Sequence, residues 1–524
     1  MPSRPLTGLY DPPPRAAVID DLAARARARL GALSPAARQR NLENTVYEER
    51  HRLERAHGKG DEVARVERLA QALVHNADPI APAVDLVRAW GEEIHGNFSW
   101  PAFRFATTVF PPALGALLNG RPASGLADWN PDPQRRITVD GPLPLLRELA
   151  DEAVLLLTPT HVSNLDSGII GLALALSGLP PFQYGAGLNL FSNPVVGWWL
   201  RRLGAYTVDR TKRAELYKSA LKDYSVRQLK SRTHGLFFPG GTRSRSGAIE
   251  AQVKKGLLGT GLAAWQEMIT DQRPDRDVYV VPLTLSFQLG LEANTLIDDH
   301  LAEAGKQRYI ISDDEFAQPR QLATFFSRVL SLDSAIVLRF GHPVDVLGNP
   351  VPTDRQERAA ASERRLGYVC KPHTAIVEPD EQRDHLYTER LASTLCRTWP
   401  TLATVMTTHL TAWVAWRELE RTLGTTDPFR IVRTPVGLRR IPLDRLRERL
   451  GAAVARAHAQ AAAGSYYVQL PATGDAVLSA AIDTFARYHR SRAIAVDGGD
   501  LVVEDPRLCL YYRNRATFAG LEAS

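Results

Sequence analysis

Apolar positions in the middle of the chain, from about 136 to 345, follow two alternating rhythms. Strand-length apolar runs fall at 154–158, 183–185, 205–208, 235–239, 278–287 and 335–340. Helical patterns lie between them at 166–176, 194–203, 213–231, 256–269 and 315–330. In 213–231, for example, Leu216, Tyr217, Ala220, Leu221 and Tyr224 form one stripe, with Lys218, Lys222 and Arg227 off it. Strand–helix alternation of this kind predicts an α/β fold, with a mostly parallel or mixed sheet flanked by helices.

The flanks read differently. Residues 1–15 lack an apolar rhythm and are expected to be a disordered tail. The region 16–135 is helical and charged, with Asp20 and Asp61 as candidate N-caps. Inside it, 97–120 gathers Phe98, Trp100, Phe103, Phe105 and Phe110 around Arg104. That composition suits either helix packing beneath a second domain or a membrane-interface segment. A polar Pro/Gly stretch predicts a linker at 346–370. Beyond it, 371–524 reads as a mainly helical domain, with helices at 384–423 and 443–463. Short strands are expected at 466–470, 493–496 and 509–512.

Composition narrows the class. The chain is 44% hydrophobic and 23% charged, which suits globular domains with real cores. Cys370, Cys396 and Cys509 form no C-x-x-C pair. A disulfide framework and a zinc site are therefore disfavoured, and a reducing compartment is expected. The N-terminal residues lack the apolar core of a signal peptide. The longest uncharged stretch, 167–200, is broken by Pro180, Pro181 and Pro194, so it reads as buried helix, strand and helix rather than a membrane span.

Net charge is +6, yet 201–255 alone holds fourteen Lys/Arg against four acids. An anionic ligand or surface is the natural partner of such a cluster. A solvated basic helix explains 212–232 equally well, but not the glycine-rich stretch that follows it. No nucleic-acid-binding module is recognisable, so nucleic acid is not an expected partner.

Just upstream of this cluster the chain reads T-P-T-H-V-S-N-L-D, with His161 five residues before Asp166. On an ideal helix five steps put two side chains on different faces. Contact between them therefore requires His161 in the turn before the helix and Asp166 in its first turn. The carboxylate then holds one imidazole nitrogen and leaves the other free to take a proton. For the pair alone, a merely structural histidine at a helix start is the favoured reading. Three further stretches follow in order. G-A-Y-T-V-D-R ends at Arg210. F-F-P-G-G-T-R-S-R-S-G holds Gly240, Gly241, Thr242, Arg243, Ser244 and Arg245. V-V-P-L-T-L-S-F bends at Pro282. Two glycines beside two guanidiniums suit a phosphate. Walker-type and G-x-S-x-G motifs are absent.

Over about 200 residues, these four ordered blocks resemble the glycerolipid acyltransferase family, the glycerol-3-phosphate and lysophosphatidate acyltransferases. The R-S-R-S-G form is similar to the bacterial membrane-bound glycerol-3-phosphate branch. The resemblance implies an O-acyltransferase that moves a fatty acyl group from a thioester donor to the hydroxyl of glycerol 3-phosphate. His161 would be the general base and Asp166 its orienting acid. Arg210, Arg243, Arg245 and Lys254 would hold the phosphate, with Gly240, Gly241, Thr242 and Ser244 as the substrate loop. Acyl-CoA or acyl-carrier protein would be co-substrate, with no cofactor and no metal. The uncharged 167–200 stretch would line an acyl groove. The expected location is peripheral, on the cytoplasmic face of a membrane. Two positions depart from the pattern. Thr207 replaces an aromatic residue, and Gly240 stands where the family usually has glutamate. The second departure leaves lysophosphatidate open as the acceptor, and also an inactive lipid-binding homologue.

Overall fold

The two rhythms become one eight-stranded sheet in a computed structural model that describes residues 13–56, 60–75, 77–108, 137–191, 193–304, 335–372, 374, 376–487, 489 and 491–521. Its strands are β1 (Ile137–Asp140), β2 (Val154–Pro159), β3 (Gln183–Gly187), β4 (Ala205–Val208), β5 (Gly235–Leu236), β6 (Val278–Phe287), β7 (Ile336–Phe340) and β8 (Val344–Asp345). They lie in the order β1-β7-β6-β2-β5-β3-β4, with β8 on β6. From β6 to β4 neighbouring strands are parallel, while β7 is antiparallel to β6 and carries β1 parallel to itself. The sheet is thus mixed and flanked by helices, as the alternation predicts.

Every residue of β2 and β6 is buried, so their unbroken apolar runs serve two cores at once. Leu155, Leu157, Val281 and Leu283 join one core, beneath the helices Leu143–Glu152 and Asp166–Leu176. Val154, Leu156, Val278 and Val280 join the other, with Trp265, Met268 and Trp399. The period-two alternation of strand side chains makes this division. In a third cluster the N-terminal helices cover Leu216, Tyr217, Ala220 and Tyr224, the stripe read from sequence.

Several expectations need correction. Asp20 lies inside the helix Arg15–Ala32, which enters through Pro14, and Asp61 is the second residue of Gly60–Val74 rather than a cap. The stretch 384–423 is two helices, Glu381–Leu402 and Thr407–Leu423, separated by β9 (Thr404–Met406). Pro400 sits in the last turn of the first helix, and Ala403 beyond it turns extended. β9 then pairs with β11 (Tyr467–Gln469). Residues 509–512 are helical, within Pro506–Asn514. Asp505 caps that helix through the Arg507 and Leu508 N–H groups, and Pro506 sits at its first position. Capping and proline override a strand-like composition there. A three-stranded sheet joins β10 (Arg440–Pro442), β13 (Asp500–Val502) and β12 (Ala495–Asp497).

The segment 346–370 holds the helix Arg355–Leu366, whose buried Arg358 and Arg365 pair with Glu152 at 3.3 Å and Asp277 at 2.6 Å. Most of the expected tail, Phe110 with the rest of the aromatic segment after 108, and the helix at 315–330 lie outside the described residues. No helix among the described residues is long and apolar enough to cross a membrane.

Trp399 ties the C-terminal half to the strand that carries the site. It is fully buried, and its Nε1–H donates to the Thr158 carbonyl at 3.1 Å. Trp399→Ala is expected to lower the unfolding free energy by about 3–5 kcal/mol, read by urea titration.

Candidate active site

β2 ends at Pro159, and the chain is then anchored to β6. Thr160 N–H donates to the Leu283 carbonyl at 3.0 Å, and Leu285 N–H donates to Thr160 Oγ1 at 3.2 Å. His161 follows in the turn, and Asp166 is the first residue of the next helix, where a negative charge is favoured. Nδ1 of His161 lies 2.8 Å from Asp166 Oδ2. The same oxygen accepts the Val162 and Ser163 N–H groups at 2.6 and 3.0 Å. Asp166 is fully buried, while the imidazole is 14% exposed and stacks on Phe238 with ring centres 4.0 Å apart. Nε2 makes no hydrogen bond to the described residues. With the proton on Nδ1, this geometry leaves the Nε2 lone pair available to an incoming hydroxyl.

Other buried histidines serve the fold. Burial pushes His234 and His409 down to about 3. His234 Nδ1 accepts the Leu155 N–H at 3.0 Å, and His409 donates through Nε2 to the Phe287 carbonyl at 2.9 Å.

The glycine loop packs against the His161 turn. Gly241 has φ +77°, so its backbone favours glycine, and the end of the Lys254 side chain lies against it, with Nζ 2.9 Å from where a β-carbon would stand. Its N–H donates to the Phe238 carbonyl at 2.9 Å. Ser244 N–H donates to the His161 carbonyl at 2.7 Å, and Ser244 Oγ–H to the Ala248 carbonyl at 2.6 Å.

The candidate cations divide. Arg243 lies 3.5 Å from the Glu292 carboxylate. Burial, and then the charge of Arg243, hold the Arg210 guanidinium below its ordinary value. Neither Arg210 nor Lys254 makes a side-chain hydrogen bond or ion pair among the described residues. Arg245 is already engaged, by Glu303 at 2.8 Å. Thr242 is exposed. Arg210, Arg243 and Lys254 therefore remain as cations able to meet an anion. No cluster of His, Cys, Asp and Glu among the described residues is arranged to hold a metal ion.

Two carboxylates escaped the motif reading. Glu292 is buried and accepts the Asn164 N–H at 3.0 Å and the Ser163 hydroxyl at 3.0 Å; burial pushes its carboxyl up. Glu250 Oε1 accepts the His161 N–H at 2.8 Å, and burial pushes this carboxyl up to about 7. Glu250 and Glu292 lie 89 and 131 residues after His161. Glu250 did carry a signal, as the only acid between Asp223 and Glu267 in a strongly basic stretch.

Residues 136–286 match the Acyltransferase family. A glycerol-3-phosphate acyltransferase of Xanthomonas campestris pv. campestris is 29% identical over 224 residues, which are 40% of this chain and 24% of that protein. One from Histophilus somni is 30% identical over 219 residues, 41% of this chain and 24% of that protein. The chain thus spans about a quarter of the length of these relatives. The crystal structure of the 1-acyl-sn-glycerophosphate (LPA) acyltransferase from Thermotoga maritima is 18% identical. It covers 44% of this chain and 69% of that one at a TM-score of 0.23, too low to bear on the fold.

The raised carboxyl of Glu250 has a sign that can be checked. Between its ordinary 4.5 and about 7, the folded protein keeps a proton that the unfolded chain has lost, so stability falls as pH rises through that window. Glu292 adds to the same trend. Urea midpoints at pH 5 and pH 7.5 are expected to differ less for Glu250→Gln than for the wild type.

Proposed function

We propose that this chain, whose residues 136–286 form an Acyltransferase-family domain, is an O-acyltransferase acting by general-base catalysis. The acyl group passes from a thioester of coenzyme A or acyl-carrier protein to the hydroxyl of glycerol 3-phosphate, a step of phospholipid synthesis. The observation that carries this reading is the free Nε2 of an imidazole fixed by Asp166, beside a loop in which Arg243 has only a 3.5 Å carboxylate contact and Lys254 has no side-chain partner among the described residues. The names of the curated relatives support the acceptor.

In this mechanism Nε2 of His161 takes the hydroxyl proton as the oxygen attacks the thioester carbonyl. The C–S bond then breaks, and the imidazolium returns the proton to the leaving thiolate. Asp166 holds the tautomer and stabilises the imidazolium. General-base catalysis of this kind is typically worth ~10²–10⁴-fold. Arg210, Arg243 and Lys254 hold the phosphate, so that the hydroxyl meets the base in one orientation. Arg245 can join them, because an exposed ion pair such as its link to Glu303 is worth only ~0–1 kcal/mol. Lysophosphatidate shares the phosphate and the hydroxyl and is the second candidate acceptor. An inactive lipid-binding homologue has Gly240 in its favour, but the Glu250 carboxylate stands beside that position.

A membrane-facing surface belongs to the same proposal. Leu176, Leu188, Val195 and Trp198 of the uncharged stretch are exposed rather than buried, with Phe105 nearby, stacked on Trp199. Arg202 lies over the Trp198 ring at 3.9 Å, and Arg201 over Phe191 at 4.6 Å. Exposed apolar side chains flanked by arginines suit the headgroup region of an anionic bilayer.

With acyl-CoA and glycerol 3-phosphate, the protein should release free thiol, and His161→Ala should lose about 10²–10⁴-fold of that rate. Equal rates for the two would sink the reading. Arg243→Ala should raise KM for the acceptor more than it lowers kcat, and competition between the two acceptors identifies the preferred one. Val195→Glu with Trp198→Glu should weaken co-sedimentation with anionic vesicles. Unchanged sedimentation would remove this surface from the proposal.

A further inference from the structure

Gly240 and Glu250 occupy one another's space. A β-carbon built on Gly240 would lie 2.9 Å from Glu250 Cγ and 3.1 Å from Oε1. The first is shorter than packed atoms tolerate, and the second is tighter than most packed contacts, so the Glu250 side chain would have to shift. The bare α-carbon of Gly240 is therefore what lets the Glu250 side chain reach the His161 N–H. The φ of Gly240 lies outside the left-handed region, so its backbone does not demand glycine; the space does.

Glu250 acts on a single point. Its Oε1 accepts the N–H of His161, and Ser244 of the same loop donates its N–H to the carbonyl of His161. The peptide groups on both sides of the His161 α-carbon are thus held by one loop, which leaves and returns within seven residues. Around the carboxyl stand His161 and Asp166 from the motif turn and the buried Arg515 from the end of the C-terminal helix. Cys396 of the helix Glu381–Leu402 lies near enough to feel its charge. Behind it, a cavity of about 20 Å³ is lined by Thr160, Ser286, His409 and Arg515, and has room for one water.

We infer that Glu250 is a positioning residue for His161, and that positions 240 and 250 are alternative origins for one carboxylate at this site. A glutamate at 240 would start its side chain where that of Glu250 now ends. With a small residue at 250, its carboxyl would enter the same space. The departure at Gly240 is then a relocation of the acid, ten residues along the chain, rather than its loss.

This inference rests on the reading of His161 as the base, and four proteins separate the two: wild type, Glu250→Ala, Gly240→Glu and the double variant. The thermal midpoint needs no assumption about chemistry. Each single change should lower it, the first by leaving the His161 N–H unpaired and the second by collision. The double variant should recover above both singles. In thiol release Glu250→Ala should lose on the order of tenfold in kcat, the scale of one buried hydrogen bond, with KM for the acceptor unchanged. The double variant should regain most of that loss.

Glu250→Gln keeps an oxygen for the His161 N–H and removes the charge, so it should hold the midpoint while moving the pH–rate profile. Additive losses in the double variant, or a double variant that stays unfolded alongside Glu250→Ala, would overturn the inference. So would a Glu250→Ala protein that is less stable but keeps its full kcat. If His161→Ala matches the wild type in thiol release, the catalytic reading fails, and recovery of the midpoint still decides the carboxylate exchange on its own.

Discussion

One carboxylate oxygen holds the site in shape. Asp166 Oδ2 accepts from the imidazole of His161 and from the backbone of Val162 and Ser163 at once. A carboxylate with no exposed surface is costly unless hydrogen bonds replace its water; three donors do so at Oδ2, while Oδ1 is buried with no partner among the described residues. The five-residue spacing follows from that geometry. The turn must curl far enough for two N–H groups and a ring nitrogen to point at one atom, and rotating the imidazole would lose both its Asp166 contact and its stacking on Phe238.

The backbone confirms how completely that turn is determined. His161 N–H goes to Glu250, Val162 and Ser163 to Asp166, and Asn164 to Glu292. Leu165 N–H goes to the Ser163 hydroxyl, and Asp166 N–H to the Ser163 carbonyl. Six successive donors are satisfied, four of them by three acidic side chains from different parts of the chain. Such a ring of acids needs nearby positive charge, and the basic stretch provides it in Arg243, with Arg515 behind Glu250. Arg210 is different. It feels the charge of Arg243 and pairs with no acid among the described residues, an arrangement that gains most when an anion arrives.

These contrasts decide what could be read in advance. The sheet was legible because β2 and β6 are apolar along their whole length and the intervening helices carry a regular stripe. The His161–Asp166 contact was legible because both partners lie within one turn, where spacing limits the geometry. Glu250 and Glu292 were not, because nothing in local sequence says which distant acid returns to a given N–H. The pairing of Arg245 was hidden for the same reason: its spacing from Arg243 does not foretell that its side chain reaches Glu303. In the C-terminal half, composition failed where caps and prolines decide, at Pro400 and at Asp505–Pro506.

The C-terminal helix shows why a motif-centred view of the site is too narrow. Asn514 Nδ2 donates to the Ser246 carbonyl at 2.9 Å, and Tyr512 accepts the Gly290 N–H at 3.0 Å. Gly247, at φ +85°, lies so close to the Tyr511 carbonyl that a β-carbon would stand 2.5 Å from it. The loop that clamps His161 is therefore itself braced from more than 250 residues away, by the Asn514 side chain on the Ser246 carbonyl and by the Tyr511 carbonyl against Gly247. Because Arg515 extends from the same helix toward Glu250, loosening this helix would disturb both the shape of the loop and the charge around its acid. The C-terminal region thus meets the site from two sides, through this helix on the loop and through Trp399 on the Thr158 carbonyl.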